Sequence, residues 1–217
     1  MSEAAQQSMT EVWSEGIWTE FVDGLQAIYE HHIDHADNRQ AALAHLVSMM
    51  SPALHNEPVL QQAMAQCPLA SENTAPSWWR TLHEDTTSQI TLVAVYQGHA
   101  MPLHDHPGSR GLALVLSGRA HIRYADVVQL DQASGIAEIA MTDSQQCSEQ
   151  EVSSFDTEHN NLHSIAAMTP CVQLLVVHTP PIKREEQAFY FPLLAKHWLP
   201  GQQLRAKRIK IRNHIGH

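Results

Sequence analysis

What most constrains this chain is a change of texture at Ser77. Before it, apolar residues recur at helical intervals, first Trp13, Ile17, Phe21 and Leu25, then Ala41, Leu43, Leu46 and Met49. Such spacing gathers them on one stripe of a helix. Pro52 and Pro58 punctuate the region, and a third short helix through Val59, Met64 and Ala65 is expected to end near Cys67-Pro68, ahead of the loop SENTAPS. After Ser77 the apolar residues come in short β-branched and aliphatic runs: ITLVAVY, GLALVLSGRAHIRYA, VVQL, IAEIAM and VQLLVVH. These are strands. Many short strands with no helical pattern between them build an antiparallel sandwich or barrel. The expected fold class is therefore mostly β with N-terminal helices. Residues 1–76 form a helical region packed on the barrel, 77–200 the barrel itself, and 201–217 a basic C-terminal tail.

With 217 residues, 43% of them hydrophobic, the chain can bury one good core. Its start, MSEAAQQSMTEVW, has neither a basic n-region nor an apolar h-region, and no apolar run reaches membrane-spanning length, so a cytoplasmic location and no membrane partner are expected. Cys67, Cys147 and Cys171 are odd in number and far apart, encoding neither a disulfide framework nor a CxxC site. A formal charge of -10 argues against general binding to nucleic acid or anionic membranes, which requires a cationic face, and leaves a small molecule as the expected partner. Arg205, Lys207, Arg208, Lys210 and Arg212 gather positive charge at the end of the chain, where a solvated edge is the expected role. Oligomeric state is not encoded in any pattern, and a monomer is the simplest expectation.

There are sixteen histidines. His31, His32, His35 and His45 fall in the helical stretch and read as a surface face. His104 and His106 differ, because they stand at the mouth of a strand in GHAMPLHDHPGSRGLALVLSG. Alternation along an extended chain places both imidazoles on one face and Asp105 on the other, so the pair can hold one metal from one strand end. A third ligand is sought on a later strand. In SSFDTEHNNLHSIAA, His163 is followed by an apolar strand whereas its rival His159 lies in the loop-like DTEHN, so strand-end geometry favours His163.

Gly98, five intervening residues, His104-x-His106 and then Gly118 together resemble the first motif of the cupin superfamily, a small β-barrel (jelly roll) with its metal inside. The usual motif has a glutamate where this chain has Gly111. Without that carboxylate the ion keeps its charge and gains an open position, a loss that thiol dioxygenases share. HDHPGSRGLALVLSG is similar to the first motif of cysteamine dioxygenase and the plant cysteine oxidases, WWRTL is similar to cysteine dioxygenase, and Asn161-Leu162-His163 resembles the second motif of the family. The similarity spans about Trp79 to Pro181.

The resemblance implies an oxidoreductase using iron, Fe(2+), held by His104, His106 and His163, with a small thiol and O2 as substrates. Free L-cysteine leads, giving cysteine sulfinate. The alternatives are 3-mercaptopropionate, a cysteamine-type thiol, or a metal-binding sensory cupin without turnover. In the cysteine dioxygenases an arginine in an Arg-x-Leu element clamps the substrate carboxylate, and Arg80-Thr81-Leu82 occupies that place, with Arg110 as the other candidate. The family's Ser-x-His-x-Tyr run is represented here by Leu174, Val176 and His178, so the triad is absent and His178 stands where the tyrosine would be. Gly111 likewise excludes the cysteine-tyrosine crosslink of some members. Tyr190 is a candidate phenol from the C-terminal element.

Overall fold

The computed structural model describes residues 3–31, 36–68, 75, 77–157, 159–193 and 199–210. The side chains of Trp13, His32, His35 and Arg212 lie outside what it describes. Three helices come first: α1 (Glu3–His31), α2 (Ala36–His55) and α3 (Pro58–Ala65). Phe21 and Leu25 of α1 are buried. On α2 the inward stripe is Leu43, Val47, Met50 and Leu54, while Met49 is 65% exposed. The stripe follows i, i+4, i+7 and i+11, with Leu46 half-buried beside it, so of the expected stripe Leu43 and Leu46 meet the core while Ala41 and Met49 are exposed. Pro52 sits inside α2 rather than ending it. Pro58 opens α3, where a missing N–H costs no helical bond.

Eleven strands follow: β1 (Ser77–Glu84), β2 (Gln89–Tyr96), β3 (Ala100–Asp105), β4 (Arg110–Ser117), β5 (Ala120–Asp131), β6 (Ile136–Cys147), β7 (Val152–Phe155), β8 (Leu162–Ala167), β9 (Cys171–Thr179), β10 (Ala188–Pro192) and β11 (Gln203–Lys210). One sheet runs in the order β1-β2-β9-β4-β7. The other closes on itself as the barrel β10-β11-β6-β5-β8-β3. Every residue of β2 is buried, because the first sheet is covered on both faces. Ile90, Leu92, Leu112, Leu114 and Val177 pack with the helices. Val93, Val95, Ala113, Val115 and Leu174 face the second sheet and meet Ile122, Tyr124 and Ile165 from it. A third cluster, with Leu103, Ile139, Met141, Leu162, Tyr190 and Ala206, fills the closed barrel.

Within the expected basic C-terminal tail, 201–217, Gln203–Lys210 is a strand hydrogen-bonded to β10 on one side and β6 on the other, so it completes the barrel, and 211–217 lie outside the described residues. Its small and apolar residues alternate, with Leu204 and Ala206 packed inward and Arg205 and Lys207 exposed. The charges on the outer face conceal the period-two pattern from a reading based on charge.

Candidate metal centre

The site lies between the two sheets at the end of β3. The strand's pleat sends Leu103 and Asp105 into the closed barrel, and His104 and His106 to the opposite side. His163 is directly opposite His104 in the antiparallel β3–β8 register, which brings the third imidazole to the pair from a separate strand. Ring centroids are 4.8 Å apart for His104 and His106, 4.5 Å for His104 and His163, and 5.1 Å for His106 and His163. One ring nitrogen from each of the three lies within 4.8 Å of the others, so the group could hold a metal ion.

Burial dominates the electrostatics. It lowers the pKa of His104, with backbone hydrogen bonds to Pro102 and His163 opposing. It lowers His106 and His163 further, and the neighbouring imidazoles add to the effect. All three rings are thereby held neutral, the form that offers a lone pair to a cation. His104 Nδ1–H donates to the Pro102 carbonyl at 2.8 Å, which leaves Nε2 free as a ligand. His163 Nδ1 is buried with no hydrogen-bond partner. An orphaned buried nitrogen costs roughly 1–3 kcal/mol unless something compensates it, and a cation among three lone pairs would do so. The donor set fits a divalent transition metal such as iron(II).

His178 joins this cluster from β9. Its ring lies 4.5 Å from that of His106 and neither of its nitrogens has a partner. Burial, with a smaller contribution from His104, pushes its pKa down to about 3. Gly111 stands between β7 and β9, opposite Phe155 on one and His178 on the other. A Cβ there would run into the Val177 carbonyl oxygen and come within 2.7 Å of the Phe155 ring. The ring of Phe155 packs 4.5 Å from that of His163, so an aromatic face occupies the side from which a glutamate at 111 would approach.

The other sequence candidates are placed elsewhere. Arg80 is exposed on β1, pairs with Leu92 on the helix-facing side of the sheet and hydrogen-bonds Gln66 past the end of α3, so it is not brought to the histidines. Arg110 precedes Gly111 and by alternation shares the face of Leu112, again toward the helices. Tyr190 lies inside the closed barrel, on the far face of β3, where its hydroxyl donates to Asp105 at 2.9 Å and accepts from Arg208 Nε at 3.0 Å. His159 is exposed in the loop before β8, and its backbone N–H donates to Asp156. A cleft of about 160 Å³ reaches His106 and is lined, among the described residues, by Asp105, Pro107, Gly108, Val127, Thr157 and Asn161, none of them cationic.

Phe155, Tyr124 and Gln187 were not visible from sequence. Tyr124 lies 6.3 Å from His163 by ring centroid and bonds Ser153, while Gln187 reaches His106 from the start of β10. Each comes from a strand or strand end remote in sequence, and no local spacing marks it.

Three neutral imidazoles gathered between the sheets of this antiparallel sandwich, with no carboxylate in the cluster among the described residues, could hold a single metal ion. Residues 46–210 match the PCO_ADO family model, and the chain belongs to that family, the plant cysteine oxidases and cysteamine dioxygenases. Its members are non-haem iron enzymes that oxidise thiols with dioxygen. No curated protein matches the chain. Among solved structures, KdgF from Halomonas sp. is 12% identical, covering 51% of this chain and 86% of that one with a TM-score of 0.38. A protein with a double-stranded β-helix domain from Klebsiella pneumoniae is 12% identical (56% and 84% covered, TM-score 0.42). A cupin superfamily protein from Desulfitobacterium hafniense is 19% identical (52% and 83% covered, TM-score 0.38). Likeness at this level bears on neither activity nor substrate.

Proposed function

We propose that this protein is an iron(II) thiol dioxygenase that converts an amino-thiol of the cysteamine or N-terminal cysteine type to its sulfinate, R–SH + O2 giving R–SO2H. The observation that carries the reading is the convergence of His104, His106 and His163 as neutral donors, with no carboxylate in the cluster among the described residues. Iron(II), when bound, supplies the electronic path between the thiolate sulfur and dioxygen. The protein's own residues supply placement and exclusion. Gly111 and Phe155 keep a carboxylate from the ion, so its positive charge remains available to draw in a thiolate. Phe155 and the buried ring of Tyr124 give the site an apolar wall that keeps water out. His178, neutral and unpaired, is suited to donate one hydrogen bond to a substrate oxygen.

Free L-cysteine, the leading substrate from sequence, drew its support from Arg80. With Arg80 turned to the helix side and no cation among the described residues that line the cleft, a substrate without a carboxylate is favoured. A reducing cytoplasm suits the three free cysteines. Oxygen uptake by the iron-loaded protein, paired with mass spectrometry of products, ranks cysteamine, a peptide with N-terminal cysteine, L-cysteine and 3-mercaptopropionate. The first two are expected to be consumed fastest with gain of two oxygen atoms. Fastest turnover of L-cysteine would overturn the substrate assignment, and inertness toward all four would leave a sensory metal-binding protein.

A further inference from the structure

The end of β3 is gripped from a segment far along the chain. Gln187, 6% exposed, places Nε2 at 2.6 Å from His106 Nδ1 and 3.2 Å from the Asp105 carbonyl oxygen. One residue on, the Ala188 N–H donates to Asp105 Oδ1 at 2.6 Å. The residue between the two histidines is thus fixed at its carbonyl and its carboxylate, and the second histidine is fixed at its ring.

The three ligand rings differ in what holds their second nitrogen. His104 uses the carbonyl of Pro102, two residues back on its own strand. His106 lies just past the end of β3, and among the described residues the hydrogen bond to its ring comes from Gln187. A ligand imidazole that binds through Nε2 carries its proton on Nδ1 and needs an acceptor there, since the partner at Nδ1 decides both tautomer and ring orientation. The two ends of a primary amide are nearly the same shape. With nitrogen toward the ring, Gln187 donates to Nδ1 and leaves the ring proton on Nε2. Turned over, its Oε1 accepts Nδ1–H and frees the Nε2 lone pair, at the cost of the bond from Gln187 to the Asp105 carbonyl.

We propose that Gln187 is the positioning residue of His106, orienting the ring and, by turning its amide over, selecting the tautomer that binds the metal. The inference rests on the three-histidine reading. It adds a residue just before β10 that touches neither the metal nor the substrate, and it gives the closed barrel a part in building the site.

Cobalt(II) binding to the full chain tests it, with affinity measured by competition against a chromophoric chelator and the ligand field read from the visible bands. Gln187→Leu removes the partner and is expected to weaken cobalt binding about 10- to 100-fold and to shift the bands. Gln187→Glu keeps an acceptor for Nδ1–H and is expected to bind within a few-fold of wild type. Thermal melts of the metal-free variants report on folding separately. A Leu variant that melts like wild type and binds cobalt with unchanged affinity and bands would overturn the proposal. If the Leu variant does not fold, the Glu variant decides, since a folded Glu variant that no longer binds cobalt is equally fatal. Wild-type protein that takes up no cobalt would instead remove the three-histidine reading beneath it.

Discussion

Burial does two things to His104, His106, His163 and His178: it strips water from their nitrogens and leaves them in the neutral form. The first is a cost that only a partner can offset, and the second is what makes a cation that partner. His163→Ala removes one of three donors, so metal binding and thiol oxidation are expected to be abolished, whereas His159→Ala, in the exposed loop, is expected to leave both near wild type. Metal content and oxygen uptake of the two variants check this, and equal loss in both would return the ligand assignment to its rival. Asp85 shows a different use of a charge. Partial burial acts to raise its pKa, but hydrogen bonds from Thr87 Oγ1, the N–H groups of Thr87 and Ser88, and His83 bring it down to about 2. A carboxylate whose pKa is depressed on folding stabilises the fold above its unfolded value near pH 4, and that contribution is lost as pH falls toward 2. Denaturant unfolding of wild type and Asp85→Asn should therefore show a gap at pH 5 that closes toward pH 2. A gap constant with pH would mean that the turn owes nothing to this charge.

At the scale of elements, β10 and β11 are tied to β3 by a chain of polar groups inside an otherwise apolar barrel. Arg208 donates to Tyr190, Tyr190 donates to Asp105, and Asp105 lies between the two histidines of β3. Burial raises the Asp105 pKa against the pull of Ala188, Tyr190 and Arg208, so its carboxylate depends on those partners. Tyr190→Phe deletes one of them at nearly constant volume. It is expected to destabilise the protein by about 1–3 kcal/mol, the cost of leaving a buried acceptor short of a donor. Chemical denaturation measures that cost, and a variant as stable as wild type would show that water or Arg208 takes the place of the phenol. Local pattern made β2, β4 and β9 legible as strands, since long apolar runs covered on both faces leave little else for the chain to do. It failed for β11 because charged residues on an outer face say nothing about what the inner face packs against. The stripe of α2 was legible in kind, though its register was not, because the face that turns inward is chosen by the sheet it meets.

At the scale of the molecule, three apolar clusters among the described residues divide the work. One joins helices to the first sheet, one joins the two sheets around the three histidines, and one fills the closed barrel. The site sits at the edge of the middle cluster, so an ion held there ties β3 and β8 together. Metal binding to the native state alone raises stability by mass action, about 2.7 kcal/mol at a free concentration one hundred times Kd. Melting temperature is expected to rise on loading with iron(II) or cobalt(II) and to fall back with a chelator, with no rise in His163→Ala. A melting point indifferent to metal would deny the ion any part in the fold.

By itself the sequence determined that helices precede a β-sandwich, and that His104 and His106 share a face, because both follow from periods of the chain that need no partner to be read. It also determined that position 111 offers no carboxylate. Only the tertiary structure decided that His163 lies across from His104, that His178 and Phe155 close around them, that Gln187 reaches back to His106, and that Arg80 and Tyr190 point away. Those are consequences of strand order and of which face of each strand is covered, and both are settled by burying apolar area over the whole chain rather than by any residue's near neighbours.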